Sequence, residues 1–148
     1  MAQQYDACTF LDEQHIEVTR LFEQYKAAHD GAKQRMICQQ ISNELTLHMQ
    51  IEDEIFYPAF SKATGDTALV QESEREHRQT RELIGQLEQN PTPDSKLMQK
   101  LEAVVVDHVK DEREKMFPEA RKSRGLDLMQ LARELESRKT ELIAAHPA

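Results

Sequence analysis

Nowhere does the 148-residue sequence hold an apolar run of the roughly eighteen residues that a membrane-spanning helix needs. The N-terminus, MAQQYDACTF, lacks the basic segment and the long apolar segment of a secretion signal, so the expected location is the cytoplasm. No cluster of lysine or arginine stands against the formal net charge of −8. That excludes the basic face that neutralises phosphates, and with it nucleic acid or an anionic membrane as the expected partner. The sequence has no phosphate-cradling glycine loop, no strained serine nucleophile turn and no Cys-rich zinc pattern. Its two cysteines, Cys8 and Cys38, fall at different levels of neighbouring helices in the reading below, and are expected as free, semi-buried thiols. Tryptophan is absent, and glycine (four) and proline (five) are scarce. What remains is rich in Glu, Gln, Lys, Leu and Ala, as helical proteins are, and is long enough for one domain over residues 1–148 with one core.

The few breakers are grouped. They fall at Gly31, at Gly65-Asp66, at Asn90-Pro91-Thr92-Pro93 and at Ser123-Arg124-Gly125, and the stretches between them predict four long helices and a tail. Thr9 with Asp12 resembles a capped start for the first helix, and Asp94 is an expected N-cap for the fourth. Pro58 and Pro118 are expected to kink or end their helices.

Steps of three and four mark one inward stripe on each helix. The first is Leu11, His15, Val18, Phe22 and Tyr25; the second is Ile37, Ile41, Leu45, His48, Glu52, Ile55 and Ala59. The third is Val70, Ser73, His77, Thr80, Ile84 and Leu87, and the fourth Leu97, Leu101, Val104, His108, Glu112 and Met116. A histidine sits near the middle of each. Residues 48–60, HMQIEDEIFYPAF, also align without gaps onto 108–120, HVKDEREKMFPEA, at an offset of sixty, while His15 and His77 are sixty-two apart. The helical hairpin is therefore duplicated. Two such hairpins predict an all-α, antiparallel up-down-up-down four-helix bundle over about residues 8–122, with an additional C-terminal helix over about 126–145. That last helix, with Leu128, Leu131, Leu135 and Leu142, is expected to cover a bundle edge or to support a homodimer.

His and Glu four apart on a helix project toward one point, so His48/Glu52 and His108/Glu112 can face each other. With His15 and His77 the core receives four imidazoles and two carboxylates at one level. Such groups are costly to bury without partners, and a pair of divalent metals compensates them. Imidazole with carboxylate and no thiolate suits iron, manganese or zinc.

These residues resemble the hemerythrin family, specifically the bacterial hemerythrin-like His-His-Glu cation-binding domains. The resemblance rests on His15, on His48-x3-Glu52 followed by Tyr57-Pro58, on His77, and on His108-x3-Glu112 followed by Phe117-Pro118. It implies two non-heme iron ions with an oxo or hydroxo bridge, His15, His48, His77 and His108 as terminal ligands, Glu52 and Glu112 as bridges, and O₂ at an open position. Zinc or manganese would be substitutes. The sequence departs from the oxygen carriers in two places: Ser73 stands where they have a fifth histidine, and Glu112 at His+4 stands where they have Asp at His+5. Glu74, three before His77, and Tyr57 are candidate additional ligands. The missing donor favours sensing, scavenging or redox response toward O₂, NO or peroxide over reversible oxygen carriage. The alternatives are a di-iron enzyme turning over those molecules, or a metal-storage or buffer module.

Other residues carry plainer expectations. His29, far along the first stripe, is read as structural or exposed, and His146 as solvated. Asp53, Glu54, Asp111 and Glu114 are turned away from the site, though one of them could accept a hydrogen bond from a histidine. Phe56, Ile55 and Met116 are expected to keep an oxygen pocket dry.

Overall fold

The computed structural model describes residues 5–90 and 92–145. His146 and Pro91 lie outside the described residues. The elements in chain order are α1 (Ala7–Ala27), α2 (Gly31–Ile51), a π-helical turn (Glu52–Phe56), α3 (Tyr57–Thr64), α4 (Thr67–Glu88), α5 (Ser95–Asp111), a second π-helical turn (Glu112–Met116), α6 (Phe117–Lys122) and α7 (Leu128–Ala145). Because each π turn joins its flanking helices without a loop, α2–α3 and α5–α6 are continuous rods. With α1 and α4 they make the four-helix bundle, and α7 is the extra helix.

Helix starts follow the capping rule. Asp6, Asp30, Asp66 and Asp94 each accept a backbone N–H from the first turn that follows. The α1 cap is thus Asp6, to which Thr9 contributes its backbone N–H, and not Thr9 itself. Gly65 closes α3 with φ of 72°, a left-handed conformation in which a Cβ would be strained. α1 stops at Ala27, leaving His29 exposed in the connection to α2.

The prolines do not end their rods. Pro58 and Pro118 have no N–H and would crowd the carbonyl four residues back in a regular α-helix. The wider turn takes up the conflict: the Tyr57 N–H bonds the Glu52 carbonyl and the Phe117 N–H bonds the Glu112 carbonyl, each five residues back. The extra residue rotates everything that follows. Phe56, Tyr57 and Phe60 turn inward where the three-four stepping predicts Ile55 and Ala59, which are only half-buried. Met116, Phe117 and Ala120 are buried in the matching places.

Two apolar clusters fill the bundle. One gathers Phe10 and Leu11 of α1, Ile51, Phe56, Tyr57, Phe60, Met116 and Phe117 from the ends of the two rods, and Leu131, Leu135 and Leu142 of α7. The helix α7 packs on α1, α2 and the first π turn, so it covers an edge of the bundle. The other cluster gathers Val18, Leu21, Phe22, Ile41, Leu45, Met49, Ile84, Met98 and Leu101 toward the opposite end. Cys8 and Cys38 are both free and buried, one in each cluster. Between the clusters lies a polar layer.

Candidate metal centre

All six inward His and Glu residues meet in that layer. His15 comes from α1, His48 from the end of α2, His77 from α4 and His108 from the end of α5, while Glu52 and Glu112 are the first residues of the two π turns. The four histidines are at most 6% exposed and both glutamates are fully buried. The duplication shows in the geometry. His15 against His48 and His77 against His108 have the same ring separation of 4.8 Å and the same interplanar angle of 63°.

Each imidazole is oriented from behind. Nδ1 of His15 lies 2.9 Å from Asp12, Nδ1 of His77 2.9 Å from Asp53, and Nδ1 of His108 2.8 Å from Glu76. Nδ1 of His48 bonds Oε1 of Gln14. All four partners are oxygens, so the rings donate through Nδ1 and turn their Nε2 lone pairs inward. Asp12 and Asp53 are held in turn by Arg113 and Arg81. The expectation that one of the acidic neighbours accepts from a histidine is met by Asp53. Glu74, by contrast, is exposed and lies outside the layer, because a position three before His77 is turned away from the inward side; Glu76, beside His77 in sequence, is the buried carboxylate.

The inward atoms form two overlapping donor sets, His15/His48/Glu52/Glu112 and Glu52/His77/His108, each with its atoms within 4.8 Å of one another. In the first set His15 Nε2, His48 Nε2, Glu52 Oε2 and Glu112 Oε1 have no hydrogen-bond partner among the described residues. His15 Nε2 lies 2.9 Å from Glu112 Oε1, off the angle of a hydrogen bond. In the second set His77 Nε2 and His108 Nε2 face each other at 3.2 Å. Opposed lone pairs at these distances call for positive charge between them.

The electrostatics agree. Burial pushes the His15 imidazolium down, yet Asp12 and Glu112 more than offset it, leaving a pKa of about 9. His77 and His108 are likewise raised against their burial, by Asp53 and Glu52 in one case and chiefly by Glu112 in the other. Burial would raise Glu52, but His48 and its other neighbours hold it well below the usual carboxylate range. The buried carboxylates draw positive charge into the layer, held as protons on the imidazoles when no cation is present, and a divalent metal that displaces those protons fits the same His/Glu donor set.

Tyr57 enters the same layer. Its hydroxyl donates to Glu112 Oε2 at 2.9 Å and lies 3.2 Å from Glu52 Oε1, 3.2 Å from His77 Nε2 and 3.3 Å from His108 Nε2. Burial, with Glu112 and Glu52 nearby, raises its pKa well above the ordinary phenol value. Phe117 is its counterpart sixty residues on and stacks on His15 at 6.0 Å, as Tyr57 packs on His77 at 5.3 Å, but Phe117 brings no hydroxyl. Ser73 is buried at 4% exposure in the same region.

On the side of the layer away from Tyr57 is a cavity of about 20 Å³, floored by the four histidines and walled by Val18, Leu45, Met49, Val105 and Val109. It is large enough for a water-sized molecule. The apolar wall is therefore not Phe56, Ile55 and Met116: the π turns carry those residues toward the other end of the bundle, with Ile55 at its margin.

A helical bundle with a buried His/Glu layer of this kind defines a cation-binding domain. The chain belongs to the hemerythrin HHE cation-binding domain family, whose model matches residues 6–120. Its fold is similar to that of a crystal structure from Mycobacterium kansasii described as a hemerythrin HHE cation binding domain-containing protein, with a TM-score of 0.80 and 22% identity over 96% of this chain and 90% of that one. No curated protein matches this chain. Among the described residues no helix is long and apolar enough to cross a membrane.

Proposed function

We propose that this protein holds two iron ions in the His/Glu layer and uses them to bind O₂ or a related small molecule, NO or peroxide, for sensing, scavenging or redox response. His15 and His48 would serve one ion, His77 and His108 the other, with Glu52 and Glu112 between them and Tyr57 as an additional ligand in the region of Ser73. The carrying observation is the set of four imidazoles, each fixed through Nδ1 by an outer oxygen acceptor and each turning Nε2 onto the two fully buried glutamates. When bound, a pair of irons supplies one-electron redox chemistry and an open coordination position. The residues of the chain orient the donors, hold the layer away from water and offer the small cavity beside it. Zinc or manganese could replace iron in the same donor set.

A second reading, an enzyme that turns over peroxide, O₂ or NO, draws on Tyr57: its hydroxyl contacts both glutamates and two histidines, and can deliver or take up a proton there. A metal buffer is the third. The cytoplasm is the proposed location, and a homodimer would use a surface other than Leu131, Leu135 and Leu142 of α7, which are buried within the chain.

Metal analysis of protein produced with iron supplementation tests the proposal. Two irons per chain, a near-ultraviolet absorption that dithionite bleaches, and recovery with O₂ are expected. Less than one metal per chain, with folding indifferent to chelator, would sink it. Rapid oxidation without a stable oxygenated spectrum separates sensing or turnover from carriage.

A further inference from the structure

Five buried polar atoms lack a hydrogen-bond partner among the described residues, and four belong to the inner histidines and glutamates. The fifth is Nε2 of Gln14. Gln14 is 5% exposed, its Oε1 accepts from His48 Nδ1, and its side chain lines the cavity beside the four histidines. The orientation of its amide follows from the site. A histidine that offers Nε2 to a cation must carry its proton on Nδ1, so the Gln14 oxygen has to face the ring and the NH₂ group is left over.

A buried N–H with no acceptor is costly, and Gln14 Nε2 has none among the described residues. Thr80, the other polar residue lining the cavity apart from the histidines, donates its hydroxyl to the Glu76 carbonyl. The matching position in the second hairpin is Glu76, which bonds His108 as Gln14 bonds His48, has no N–H to give and does not line the cavity. One hairpin therefore ends in an acceptor and the other keeps a free donor at the cavity.

We propose that the Gln14 side-chain amide is the hydrogen-bond donor to the small ligand held in this cavity, selecting a molecule that ends in an oxygen with lone pairs and slowing its departure. The inference rests on the small-molecule reading given under Proposed function and assigns the residue that would touch the ligand.

Nitric oxide is the probe, added to ferrous-loaded protein prepared in H₂O and in D₂O. The expected result is an N–O stretch that shifts in D₂O for the native sequence and loses that sensitivity in Gln14→Glu, which keeps the acceptor for His48 and removes the donor. NO release from Gln14→Glu should be faster by about tenfold, the scale of one buried hydrogen bond. A stretch insensitive to D₂O in the native protein overturns the inference, and that measurement decides alone if Gln14→Glu fails to fold or to hold metal. A native protein that loads iron but takes up no NO overturns the small-molecule reading and this inference with it, whereas NO bound with an insensitive stretch removes only the role of Gln14.

Discussion

The two hairpins bring the same kit to the centre and use it differently. His15 and His48 repeat the ring geometry of His77 and His108, and both hairpins place a glutamate at the start of a π turn. Yet Tyr57 corresponds to Phe117 across the pseudo-twofold relation, Gln14 matches Glu76, and Asp12 on α1 does for His15 what Asp53, in the first π turn, does for His77. The shared part is the inner donor set. The differences lie in what surrounds it, so two metals held there would meet unequal surroundings.

The most severe break is at Glu52, which belongs to both donor sets. Glu52→Gln should abolish binding of both ions, while Glu112→Gln should weaken the His15/His48 position more than the other; metal content and cobalt titration distinguish them. Equal retention in the two variants would contradict the shared role of Glu52.

Next in size is an asymmetry of scaffold, since α7 packs chiefly on the first hairpin and its turn. Leu135 is fully buried there, and Leu135→Ala should cost about 2–5 kcal/mol in chemical denaturation. Metal stoichiometry should survive in the folded protein. A loss below 1 kcal/mol would mean that α7 is weakly docked.

Tyr57→Phe makes the hairpins alike at that point. It should lower metal-free stability by about 1–3 kcal/mol, because buried carboxylate and imidazole atoms lose their shared hydroxyl. It should also change the absorption of the iron-loaded protein if the phenol is a ligand. An unchanged spectrum would leave Tyr57 a hydrogen-bonding group only.

The smallest effect concerns a tie between hairpins, Asp6 to Arg121. Burial raises the Asp6 carboxyl, but Arg121 and the Thr9 N–H outweigh it and hold the group below its ordinary value. A depressed carboxyl stabilises the fold above its unfolded pKa of about 4, and that contribution is lost as pH falls through the folded value. Asp6→Ala should therefore cost about 1 kcal/mol at neutral pH. The difference from the native protein should shrink as pH drops below about 4. A cost independent of pH would assign the effect to packing.

The inner layer was legible because its residues sit on the helical stripes: all six inward His and Glu positions, the four rods and the covering helix follow from spacing of three and four. The outer acceptors were not, because Gln14, Glu76 and Asp12 act across or along helices from positions that spacing alone marks as flank. A signal was nonetheless present. Gln14 and Glu76 each immediately precede a layer histidine and share its offset of sixty-two. Glu74, three before His77, is turned outward by the local helix phase, whereas Glu76 is buried. Ile55 and Ala59 failed for a related reason, since counting by α-helical steps runs straight through a π turn and loses one residue of phase.

That lost phase makes the chemistry of the bundle a matter of reading frame. Were Glu52–Tyr57 to close as an ordinary α-helix at unchanged length, everything beyond would rotate by about 100°, taking the phenol out of the layer while the four histidines stayed in place. Deleting one residue between them would instead remove the wide turn and leave the phenol in phase, four residues after Glu52 where it is now five. The centre depends on how one turn is wound, with no substitution of any layer residue.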